Sequence, residues 1–169
     1  MAGISFPLAA VKPRQEDMAF SVIIVLYVCI GFLSAAGSMC ISKKLFSAKV
    51  EQIFFALFLI AIGGFYIAFT AYFGDQKAWR LETGGVIVFA VFGVLGVRMP
   101  VALIIGYLLH GIWDLLHEIH AHGGGNVFGD QRATDLPLAY GAFCATYDWC
   151  IAVYFYTRRG QWRAAWIKA

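Results

Sequence analysis

The sequence predicts an all-α integral membrane protein, a single bundle of about five transmembrane helices. Three observations predict it. Of 169 residues, 61% are hydrophobic and 14% charged, against about 25% charged in an ordinary soluble domain. Mean hydropathy is +0.73, more apolar surface than so small a body hides in one core. The apolar residues also come in long runs, broken by short polar or Gly/Pro clusters. In lipid every backbone N–H and C=O must find its partner within the protein, which only helices and closed barrels achieve.

The first span is expected over 19–41, closed by Ser42-Lys43-Lys44, and the second over 50–73, closed by Gly74-Asp75. Each is long enough for a hydrocarbon core of about 30 Å at 1.5 Å per residue. The third, 79–97, is apolar without a break only from Gly84, so Arg80 and Glu82 are placed at headgroup level. Arg98-Met99-Pro100 then forces a turn, because proline disfavours helical geometry just before it. The fourth span, 100–122, ends at Gly123-Gly124-Gly125-Asn126. The fifth, 137–157, stops at Arg158-Arg159-Gly160, leaving a tail, 158–169, expected to lie along the membrane surface. Together 1–169 form one membrane domain. Residues 1–18 do not read as a cleavable leader, so the first run is expected to stay as an anchor.

Lys12, Arg14, Lys77, Arg80 and Arg132 flank one set of loop ends, and eight Lys or Arg flank the other: Lys43, Lys44, Lys49, Arg98, Arg158, Arg159, Arg163 and Lys168. The positive-inside bias puts the C-terminus in the cytoplasm and the N-terminus outside, in a multi-pass arrangement expected in the cell inner (plasma) membrane. Net charge is +3, but it sits at span ends, and no nucleic-acid-binding signature is present. Cys29, Cys40, Cys144 and Cys150 show no paired spacing and read as small core hydrophobes. Gly31/Ala35, Ser34/Ser38 and Gly63/Gly64 offer sites for close helix approach.

Chemistry concentrates in His110-Gly-Ile-Trp-Asp114-Leu-Leu-His117-Glu118-Ile-His120-Ala-His122. On a helix, His110, Asp114 and His117 fall within about 60° of one another. An ionisable group near the centre of a membrane span costs at least ~2.5–3.5 kcal/mol. Three on one stripe must therefore face the bundle interior or a wet cavity. The fifth span carries a matching stripe, Tyr140, Cys144, Tyr147 and Asp148. Because spans four and five are antiparallel, residues at equal depth have numbers summing to about 258. That puts His110 level with Asp148 and Asp114 level with Cys144.

Three readings of this set stay open. His110, Asp114, His117 and Asp148 match zinc or non-haem iron ligation in type. His110, Asp114, Asp148 and Tyr140 could instead be a catalytic acid–base set working on an apolar molecule. A buried His–Asp network locking two helices is the third. His117, His120 and His122 with Glu118 lie at the outer end of the fourth span, where a polar interface accounts for them and a second, exposed metal site is the alternative. Glu51 and Gln52 are expected at a solvated edge. Trp113 and Trp149 read as packing residues beside the stripes.

The pattern H-x-x-W-D-x-x-H, then Y-x-x-x-C-x-x-x-D, here His110–His117 and Tyr140–Asp148, resembles a group of small bacterial polytopic membrane proteins; that resemblance assigns no activity. The His110–Asp114 pair is more loosely similar to the His-x-x-x-acid pair of the five-helix emopamil-binding family of sterol isomerases. By analogy it implies proton handling in an apolar pocket. The expectation is a membrane-embedded enzyme, an isomerase, cyclase or hydrolase, acting on a lipidic small molecule with or without a divalent metal. The alternative is a proton or metal-ion transporter, which would need a homo-oligomer to enclose a pore, or an accessory subunit of a membrane complex.

Overall fold

The computed structural model describes residues 13–167, with side chains described from Met18 onward. Lys12 and Lys168, and the side chain of Arg14, used in the orientation count, lie outside the described residues. Five helices follow one another: α1 Pro13–Leu45, α2 Ala48–Phe73, α3 Trp79–Gly96, α4 Pro100–His122 and α5 Tyr140–Ile167. No strand occurs among the described residues. Four of the helices, Met18–Leu45 within α1, then α2, α3 and α4, are long and apolar enough to cross a membrane. The chain is a multi-pass membrane protein.

Local sequence sets the ends. The Ser47 hydroxyl accepts from the Val50 N–H and starts α2, and Gly74 stops it in the left-handed conformation at φ 68°. A side chain at that φ would be strained, so glycine suits the stop. Met99, before proline, is extended, and Pro100 opens α4 where its missing N–H costs nothing.

Two boundaries differ from expectation. Turn residues 137–139 precede α5, which begins at Tyr140. More importantly, Arg158-Arg159-Gly160 does not end it, and α5 runs on to Ile167. The region 158–167 is therefore no separate surface segment. Trp162 is fully buried, and its indole N–H donates to Glu51 Oε2 at 2.8 Å. Arg158 grips the same oxygen from Nε at 2.9 Å and Nη2 at 2.6 Å. Ser42 and Tyr154 donate to Glu51 Oε1. Gln52 accepts from Trp166 and donates to the Gly96 carbonyl. Glu51 and Gln52, expected at a solvated edge, are wholly buried; these partners replace water and hold the helix through the basic cluster.

α4 is the centre, antiparallel to α5 and packed also on α3 and α2; α1 leans on α5 and barely meets α2. The apolar core joins Phe55 and Leu59 of α2, Phe89 of α3, Leu103 and Tyr107 of α4 and Ile151 and Phe155 of α5. Close approach depends on glycine. A Cβ on Gly141 would lie 2.3 Å from the Asp114 carbonyl oxygen, and one on Gly31 2.7 Å from the Phe143 carbonyl oxygen. Gly64, by contrast, has open space around it.

Candidate functional site

His110 lies mid-way along α4, and Asp114 follows one turn later, so both project to the same side. Asp148 comes from α5. The His110 Nδ1 atom is 2.7 Å from Asp148 Oδ2 and 3.0 Å from Asp114 Oδ2. All three side chains are buried. With Asp148 ionised, Nδ1 carries the proton and donates it, because a carboxylate only accepts. Asp114 Oδ2 sits against the same nitrogen with no hydrogen bond of its own. Its other oxygen, Oδ1, accepts from the Tyr66 hydroxyl of α2. His110 Nε2 is buried with no partner among the described residues.

The set is charge-poor only when counter-charged. Two carboxylates and a neutral imidazole sum to −2, and the hydrocarbon interior opposes any net charge. Two protons or one divalent cation neutralise them.

His110 and Asp148 line a cavity of about 230 Å³. Tyr140, Cys144 and Tyr147 of α5 join them there, with Ser38 of α1, which receives a hydrogen bond from Tyr147 at 3.2 Å. The remaining wall is apolar: Phe58, Ile62 and Phe65 of α2 and Phe143 of α5. Tyr140 thus faces the cavity beside the ionisable set and is not hydrogen-bonded to it.

His117, the fourth expected metal ligand, is not part of the set. Its ring sits 4.6 Å from that of Tyr66 and 4.9 Å from that of Trp113, and its Nε2 is 3.0 Å from Glu82 Oε1 of α3. The reason lies across the interface: α3 presents Glu82 to His117, whereas α5 presents Asp148 to His110. Nδ1 of His117 faces the Trp113 carbonyl at 3.0 Å, which can only accept, so that nitrogen is protonated. The Nε2–Oε1 contact then holds a second proton, and the pair is neutral overall. Glu82 also accepts the Thr134 N–H at 2.8 Å, and its Oε2 has no partner among the described residues. Glu82 is fully buried.

Near the C-terminal end of α4, Glu118 accepts the N–H groups of Ala139 at 3.0 Å and Gly141 at 2.9 Å. It thereby satisfies donors that a helix start leaves bare and complements the dipole of α5. Ala139 takes φ 63° to present its N–H, a costly conformation for a residue with a Cβ. His122 Nε2 donates to the Leu136 carbonyl at 3.0 Å. His120 packs on Phe128.

Tyr66, Glu82 and Glu51 escaped the sequence reading as site or network residues. Tyr66 looks like any aromatic in an apolar run. Glu51 and Glu82 each stand near a helix start, where an acid is ordinary.

Fold and site together define a polytopic helical membrane protein with a buried His–Asp–Asp set beside an apolar cavity. The chain belongs to a family of unknown function (DUF6010), whose model matches residues 22–161. That stretch holds every site residue named above. No curated protein and no solved structure matches the chain.

Proposed function

We propose that the chain is a membrane-embedded enzyme performing proton-transfer chemistry on an apolar small molecule bound beside His110 and Asp148. The observation that carries this reading is the state of the His110 ring. Nδ1 is held by carboxylates, and Nε2 is buried and unpartnered. A carboxylate on Nδ1–H fixes the tautomer and leaves Nε2 to take or give a proton. The reaction class is isomerisation: a proton leaves one atom of the molecule and another is delivered elsewhere on it, with no further reactant. Tyr140 and Cys144 supply further proton-bearing groups on the cavity wall.

Reconstitution in a membrane lipid extract made up in D₂O tests this. Mass spectrometry should find a lipid species that gains deuterium with wild type and not with His110→Ala or Asp148→Asn. No species separating wild type from both variants would remove the reading.

A metal-dependent version has its own support. Donor atoms of His110, Asp114 and Asp148 all lie within 4.8 Å of one another, and one zinc or iron(II) ion supplies the charge that two protons otherwise do. His110 Nδ1 would then surrender its proton, and Tyr66 would orient the Asp114 ligand through its second oxygen. Elemental analysis decides: a stoichiometric metal lost in His110→Ala supports this version, and a metal-free wild type ends it. A transporter would move protons or metal ions without converting any lipid, which the D₂O experiment also reads. We further place the protein in the inner membrane with five crossings, α5 being the fifth, N-terminus outside and C-terminus inside; the basic loop ends support this orientation.

A further inference from the structure

Building on that enzymatic reading, we infer that the reacting group is a deep position on the hydrocarbon chain of a bilayer lipid, and not the headgroup. Depth is the first argument. His110 is ten residues from Pro100 and twelve from His122, about 15 and 18 Å along the helix. With a hydrocarbon core about 30 Å thick, His110 stands near its middle, where only chain atoms of a lipid reside. Charge is the second. The cavity wall contains no Lys or Arg; Asp148, with Asp114 beside it, supplies carboxylates, and His110, Tyr140, Cys144 and Tyr147 are its other ionisable residues. An anionic headgroup drawn in would meet carboxylates without a cation and would lose its hydration.

Size is the third argument. About 230 Å³ has room for roughly seven or eight groups of water size, at about 30 Å³ each. That is a segment of a lipid, so the remainder must stay outside the protein. The way out is lateral. Phe65 is 48% exposed, Ile62 and Phe143 are half-buried, and α1 barely meets α2. The seam between α1 and α2 therefore opens the apolar wall to surrounding chains at mid-helix. A chain entering there meets phenyl and isoleucine side chains first and the His–Asp set at its far end. An unsaturation or oxygen carried deep along the chain is the chemistry this arrangement takes.

Photolabelling of the full chain in liposomes tests occupancy without requiring turnover. One phosphatidylcholine probe carries a diazirine at the methyl end of an acyl chain, and a second carries it beside the ester. The chain-end probe should label Phe65, Phe143 and Tyr147, and the ester-side probe should not. Ile62→Trp, which fills the cavity, should lose that labelling while the lipid-facing Leu57 keeps its own. Wild type alone decides the matter should the tryptophan variant fail to fold. Equal labelling by both probes, or cavity residues left unlabelled by the chain-end probe, overturns the inference. Deuterium uptake without chain-end labelling would leave the enzyme reading standing with a free small molecule as substrate. Labelling without uptake would preserve the lipid site and remove the chemistry.

Discussion

His110 and Asp148, 38 residues apart in the chain, meet at 2.7 Å across two antiparallel helices. Their pairing makes each side chain depend on the other for its charge. Removing one partner from a buried ion pair costs about 3–5 kcal/mol, chiefly because the survivor is left uncompensated. His110→Ala should therefore lower the unfolding temperature markedly in detergent. The double variant His110→Ala/Asp148→Asn should recover part of that loss, since one orphaned carboxylate is gone. A double variant no more stable than the single one would show that charge is not what the pair contributes.

The Glu82–His117 pair should behave as a structural clamp on the loop between α4 and α5. Glu82 holds the Thr134 N–H as well as His117, so Glu82→Ala unpairs a histidine and frees the loop together. The expected loss is again about 3–5 kcal/mol, with faster proteolysis within residues 123–136. Glu82→Gln should cost clearly less, because an amide oxygen in the place of Oε1 still accepts the Thr134 N–H and only the contact with His117 is weakened. Equal damage from both variants would contradict this account.

Beside that clamp, Arg132 Nε donates to Asp75 Oδ2 at 2.6 Å. The Arg132 guanidinium holds the Asp75 carboxyl below its ordinary value of 3.8. A folded-state value below the unfolded one adds stability at neutral pH that is lost as pH falls through the folded value. Protection of loop amides from hydrogen exchange should thus drop only below about pH 4, more in wild type than in Asp75→Asn. Arg132 is 54% exposed, so the effect should stay within about 0–1 kcal/mol. A large change near pH 6 would point to histidines instead.

Glu51 gathers donors from Ser42, Tyr154, Arg158 and Trp162, tying α1, α2 and the end of α5 at one place. Truncation after residue 160 removes Trp162 and Trp166. Loss of a buried tryptophan costs about 3–5 kcal/mol, so the truncated chain should unfold at distinctly lower temperature. A surface-lying tail would be removed with little effect, which makes this truncation a direct test of the continuous α5.

Single cysteines placed in the 123–135 loop and near Arg163 should react with impermeant reagents from opposite sides of the membrane. Labelling of both from one side would remove α5 as a crossing helix.

Membrane residence and helix number were legible in the sequence because they depend on run length and composition, which are properties of contiguous residues. The depth match of His110 with Asp148 was legible too, since the ends of two antiparallel spans lie at the same membrane faces and that fixes which residue numbers share a depth. The destination of His117 was not. Helical angle puts it on the stripe with His110, but two turns along the helix it faces α3, where Glu82 waits, and not α5. That choice depends on which helices flank α4, and nothing in the local pattern encodes it. The same holds for Glu51: its position at a helix start reads as solvated, and only the folding of α5 back over it supplies Arg158 and Trp162. Sequence alone determined which residues must avoid lipid; tertiary structure decided which of them meet, because partners for buried charge come from whichever helix packs alongside.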